Sequence, residues 1–96
     1  MSAKKSKQSK NEYVKHRERV LKEKQAVLAA MRKKAAPEHH GALQRVEQLA
    51  ERAGRELGNL VGAIEDDLGD VRAGVDKAFG DLEAAFYELS SKIRLP

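Results

Sequence analysis

Residues 47–90 read EQLAERAGREL, GNLVGAIEDDL, GDVRAGVDKAF and GDLEAAFYELS, consecutive blocks of eleven followed by SKIRLP. The third position of the block is apolar throughout, as Leu49, Leu60, Val71, Leu82 and Ile93. The seventh is Ala53, Ile64, Val75 and Phe86, and the last is Leu57, Leu68 and Phe79 before the pattern fails at Ser90. Eleven residues make three α-helical turns at about 3.67 residues per turn, close to the natural 3.6, so such a stripe runs nearly straight along a helix. At steps of about 100° per residue the named side chains fall in one stripe roughly 120° wide. The pattern predicts an all-α fold in which residues 42–96 form one long amphipathic helix, about 75 Å for about 50 residues from near Ala42 to near Ile93.

Working outward, Pro37-Glu38-His39-His40-Gly41 predicts a turn or kink at 37–41, because proline disfavours a helical residue before it and glycine loosens the backbone after it. Before that, Val14, Leu21 and Leu28 recur at sevenfold spacing, flanked by Tyr13, Val20 and Val27 and continued by Met31, which predicts a basic amphipathic helix over 11–36. Ser9-Lys10-Asn11-Glu12 has capping-box spacing and places its start. Residues 1–10, MSAKKSKQSK, contain four lysines and no large apolar side chain, so they are expected to be a disordered basic arm.

The architecture expected is a helical hairpin or kinked rod with coiled-coil-like packing. A first helix of about 25 residues, roughly 38 Å, would cover only half of a 75 Å seam. The remainder is therefore expected to pack on a second copy or a helical partner, with the twelve stripe residues named above as the seam of a homo-oligomer.

Gly54, Gly58, Gly62, Gly69, Gly74 and Gly80 lie inside the expected long helix, where each costs up to about 1 kcal/mol relative to alanine. All but Gly74 share one edge of the stripe, and Gly58, Gly69 and Gly80 open successive blocks. They are expected to form a groove for close approach of a neighbouring helix; the competing reading is local weakness or a break in the helix.

Composition narrows the function classes. With 41% hydrophobic but only 4% aromatic residues, 35% charged residues and two prolines, the 96-residue chain matches long helices better than a rounded enzyme fold. There is no cysteine and no threonine, no Gly-x-Ser-x-Gly turn and no phosphate-binding glycine loop, so the expectation is a non-enzyme without cofactor. Adjacent His39 and His40 would point about 100° apart on a helix, and Glu65-Asp66-Asp67 with Asp70 lacks a cation-loop spacing, so neither pattern predicts a metal site. No apolar run is long enough to span a membrane, and with no secretory pattern at its start the chain is expected in the cytoplasm.

The net charge of +4 conceals an asymmetry: residues 1–42 hold twelve Lys and Arg against four Glu, while 43–96 hold seven against eleven acids. Lys4, Lys5, Lys7, Lys10, Lys15, Arg17 and Arg19, continued by Lys22, Lys24, Arg32, Lys33 and Lys34, are candidates for neutralising phosphates on nucleic acid or another polyanion without reading sequence. The alternative for such a run is a solvated, solubilising face.

In its period alone, the repeat of 47–93 resembles those of apolipoproteins, synucleins and other lipid-coat proteins. That resemblance implies an amphipathic coat on a lipid or storage-granule surface. Glu47, Glu65, Glu83 and Asp67 border the stripe, however, whereas helices lying on anionic bilayers favour Lys and Arg there. The sequence thus leaves a helical scaffold or oligomerisation protein with a possible polyanion contact, and a coat protein as its alternative.

Overall fold

The computed structural model describes residues 10–93, which form three α-helices and, among the described residues, no strand. They are α1 (Lys10–Lys34), α2 (His40–Val61) and α3 (Leu68–Lys92), joined by single 3-10 turns at Pro37–His39 and Glu65–Asp67. None of these helices is long and apolar enough to cross a membrane.

The end of α1 follows from local chemistry. Arg32, Lys33 and Lys34 crowd its last turn, where cations meet the negative end of the helix dipole. Ala36 then takes φ −68° and ψ 154°, the extended conformation that a residue before proline prefers, and Pro37 opens the 3-10 turn. Within the helix Tyr13, Val14, Leu28 and Met31 are buried.

The expected single helix over 42–96 does not form. It breaks after Val61, where the N–H of Gly62 bonds back to Gly58 and Leu60 and that of Ala63 to Leu60 at 3.1 Å. The acidic run at 65–67 follows, and Asp70 sits in the first turn of α3, where carboxylates complement the positive dipole end. Folding α3 back onto α2 lets the two halves of the apolar stripe cover each other. An intramolecular contact of this kind needs no partner concentration, which is why it displaces the straight rod.

Most of the predicted seam is consequently interior to this chain. Ala53, Leu57, Leu60, Val75, Phe79, Leu82 and Ile93 are buried, with Phe79 at 0% exposure, and Leu49, Leu68, Val71 and Phe86 pack half-buried against them. Ile64 is the exception: it falls in the turn between α2 and α3 and is 63% exposed.

α1 and α3 both pack on α2, whereas their own Cα atoms stay more than 8 Å apart. That gap is bridged by long side chains. Tyr13 of α1 donates a hydrogen bond to Asp76 of α3, Arg17 lies 4.8 Å over the Phe79 ring, and Lys24 lies 4.8 Å over Phe86. Such cation–π contacts at partly exposed sites contribute about 0.5–1 kcal/mol each.

The glycine groove is not found within the chain at the predicted positions. A Cβ added at Gly58, Gly69 or Gly80 would meet nothing within 4 Å. A Cβ added at Gly54 would instead lie 3.4 Å from Leu21 Cδ2 of α1, and one at Gly74 3.1 Å from Glu56 Oε1 across the α2–α3 pair.

Candidate functional site

Helix α1 carries nine Lys and Arg against three Glu, and the fold sorts the cations into two groups. Four of them bind other helices of the bundle. Lys10 Nζ donates to the carbonyls of Val61 at 2.9 Å and Ala63 at 3.3 Å, satisfying the open C-terminal end of α2. Arg17 Nη2 pairs with Asp76 Oδ1 at 2.8 Å, Lys24 lies on Phe86, and Arg32 makes a two-pronged pair with Glu47 at 2.8 and 2.7 Å.

The Arg17 cluster is the most heavily coupled part of the molecule. Its guanidinium lies 5.2 Å from the Tyr13 ring centre on one side and 4.8 Å from that of Phe79 on the other, while Arg72 approaches Tyr13 at 4.2 Å. Burial, reinforced by the hydrogen bond to Asp76, pushes the Tyr13 hydroxyl above its ordinary pKa. Burial would also lift the Asp76 carboxyl, but hydrogen bonds from Tyr13 and Arg17 and the charges of Arg17 and Arg72 outweigh it and hold the group below the usual carboxylate range. The Glu47 carboxyl is likewise held low, chiefly by its bonds to Arg32. These groups fasten helices together, and Tyr13 and Arg72 also line a small cavity of about 150 Å³ with Lys10, Leu60 and Leu68.

The remaining cations of α1 are Lys15, Arg19, Lys22, Lys33 and Lys34, and all are exposed. At 100° per residue, Lys15, Arg19, Lys22 and Lys33 fall within about 60° of each other on the side opposite Leu28 and Tyr13. They form one straight basic stripe about 27 Å long, from 18 residues at 1.5 Å each. Among the described residues, none of these four takes part in an ion pair within the chain. The stripe is interrupted by Ala26, with no large apolar or aromatic side chain along it.

The predicted polyanion-contact residues are thus divided. Lys15 and Arg19 lie on the outer stripe, Lys10 and Arg17 are engaged inside the bundle, and Lys4, Lys5 and Lys7 lie outside the described residues. Lys22 and Lys33 complete the stripe. The i, i+4, i+7 spacing of 15, 19 and 22, continued at 33, is the signal in the sequence that separates them from their inward neighbours. The Tyr13–Asp76 link has no such signal, since it depends on α3 folding back.

Elsewhere, His39 Nε2 lies 3.8 Å from Glu38 of its own turn. Among the described residues no three His, Cys, Asp or Glu side chains come together as a metal site would require. No protein-family model matches the chain, and no curated protein or solved structure is significantly similar to it, so the functional reading rests on this geometry.

Proposed function

We propose that this protein is a non-enzymatic helical scaffold that holds α1 rigidly and presents its outer basic stripe to the phosphate backbone of a nucleic acid. The single observation behind this reading is the sorting of charge on α1. Four cations are committed to the bundle, and four others line up along one outward face with no ion pair among the described residues.

A fixed row of cations loses less conformational freedom on binding than a flexible tail. Over its first two turns the stripe offers a cation about every 4.5–6 Å along the axis, from helical rise, a density suited to a polyphosphate chain. With no aromatic side chain on the stripe there is nothing for bases to stack on, and with no base-reading constellation the contact is to phosphate and independent of sequence. The absence of a large apolar side chain beside the cations disfavours insertion into a bilayer, and an apolar stripe already covered by its own chain leaves a lipid coat little to use.

The test is fluorescence anisotropy of a labelled duplex at low salt. Lys15→Gln, Arg19→Gln, Lys22→Gln and Lys33→Gln together are expected to weaken binding at least about tenfold, since each removes a phosphate contact. Removing two cations on the other helices, Arg55→Gln and Lys77→Gln, is expected to change it less than about threefold. An equal loss per removed charge in the two variants would reduce the effect to net charge and refute the stripe. Helix gain on anionic vesicles without duplex binding would establish the coat alternative.

A further inference from the structure

A groove of about 920 Å³ runs between the first half of α2 and the second half of α3, and no residue of α1 lines it. Buried Val46 and Leu89 lie deepest among its lining, and the small residues Gly41, Ala42, Ala84 and Ala85 leave room beside them for another helix pair to approach. On both α2 and α3 the groove residues lie about 180° around the helix from those that meet α1, by the 100° step. The groove therefore sits on the back of the molecule, opposite the basic stripe.

Its two rims carry opposite charge. Arg45 and Arg52 stand on the α2 rim, Asp81 and Glu88 on the α3 rim, with Lys92 beyond Glu88 at its end. The helices are antiparallel, so at one end of the groove Arg45 lies near the height of Glu88 and at the other Arg52 near that of Asp81, within about one helical turn; each rim's pair is seven residues apart, about 10.5 Å. Among the described residues none of the four forms an ion pair within the chain.

We infer that a second copy of this chain docks in the groove, face to face, about a two-fold axis parallel to the helices. That rotation lays the α2 rim of one copy against the α3 rim of the other at unchanged height. Arg45 then meets the second copy's Glu88 and Arg52 its Asp81, and the same two pairs repeat on the other side, as an isologous interface requires. The other face-to-face two-fold, perpendicular to the helices, would set Arg45 against Arg52 and Asp81 against Glu88. Four like-charge meetings reject it, so the charge pattern selects both the occupant and its orientation.

The dimer leaves both α1 helices on its outer sides. Where the phosphate-contact reading holds, the assembly presents two parallel basic stripes facing opposite ways and bridges two polyanion segments, each strengthening the other by effective concentration. The dimer itself does not rest on that reading. With only about twelve residues of each helix in contact, it belongs to the small interfaces that dissociate on dilution.

Sedimentation equilibrium between about 10 and 500 µM, a range that brackets weak association, tests this on the full chain, with circular dichroism to verify that each variant stays helical. The mass of the parent is expected to rise from 10.7 kDa toward twice that value. Arg45→Glu with Arg52→Glu, or Asp81→Lys with Glu88→Lys, is expected to weaken association at least about tenfold, the worth of about 1.4 kcal/mol. All four substitutions together restore the pairing with its sign reversed and are expected to return the dimer. A parent that stays at 10.7 kDa throughout overturns the proposal, as does a dimer indifferent to either half-swap or a fourfold variant that remains monomeric. A monomer that still binds duplex through the stripe would overturn the dimer alone and leave the phosphate reading standing.

Discussion

The Tyr13 hydroxyl of α1 donates its hydrogen to the Asp76 carboxylate of α3, joining two helices whose backbones do not otherwise come close. Asp76 is shared with Arg17, so one carboxylate serves two donors from α1. Removing only the hydroxyl, in Tyr13→Phe, is expected to cost about 1 kcal/mol, the net worth of one hydrogen bond. Asp76→Ala is expected to cost more, about 1–2 kcal/mol, because it removes the acceptor of both the phenol and the guanidinium, discounted for the half-exposed carboxylate. Urea unfolding followed by circular dichroism measures both. Equal midpoints for parent and Asp76→Ala would show that the pair contributes nothing.

The same contacts set a pH dependence. Folding lowers the Asp76 and Glu47 pKa values below those of the unfolded chain, so their stabilisation is complete above the ordinary carboxylate range and is lost as pH falls through the folded values. Tyr13 acts in the opposite window: its pKa is raised on folding, and its contribution disappears as pH climbs above about 10. Thermal melts are expected to be flat from about pH 5 to 9 and to fall on either side. Asp76→Asn is expected to blunt the acid limb; an acid limb unchanged in that variant would assign the loss to other groups.

Glycine positions that look alike in the repeat are expected to behave differently. Gly80 is mid-helix and Gly58 lies in the last turn of α2, both with open space where a Cβ would go, so Gly80→Ala is expected to gain up to about 1 kcal/mol by helix propensity and Gly58→Ala a smaller amount. Gly69, second in α3, is expected to gain less. At Gly54 the new methyl lands 3.4 Å from Leu21, an ordinary contact, and the gain is expected to persist undiminished. At Gly74 it lands 3.1 Å from a carboxylate oxygen that must move, and the gain is expected to be partly cancelled. Melting temperatures of the five variants decide this, and a lower value for Gly58→Ala or Gly80→Ala would mean that another helix does lie against that edge.

The helical class was legible from the apolar stripe, and so was the interruption at Pro37, because both are local properties of the chain. The second interruption was hidden by the very period that revealed the helix. The eleven-residue pattern continues in phase through 62–67, so Ile64 occupies a stripe position even though the chain turns there and exposes it. Gly62 followed by Glu65-Asp66-Asp67 does carry a stop-and-restart signature, a small residue at one helix end and acids at the next beginning. The weakness that glycine confers was the reading that applied there. The neighbours that a Cβ would meet at Gly54 and Gly74, Leu21 and Glu56, are brought there only by the folded hairpin. For the basic run, composition showed its sign, but only the direction of each side chain divides Lys15 and Arg19 from Lys10 and Arg17.

The central claim is that a straight row of four cations on α1 contacts phosphate, and the salt dependence of duplex binding tests it most directly. Each neutralised phosphate contributes about −0.9 to the slope of log affinity against log salt. The parent is expected to show a slope of about −3.5 or steeper, the same for unrelated duplex sequences, and the variant with Lys15, Arg19, Lys22 and Lys33 all changed to glutamine is expected to lose about 3.5 from that slope. A parent that does not bind duplex at low salt, or a variant whose slope equals the parent's, would contradict the account.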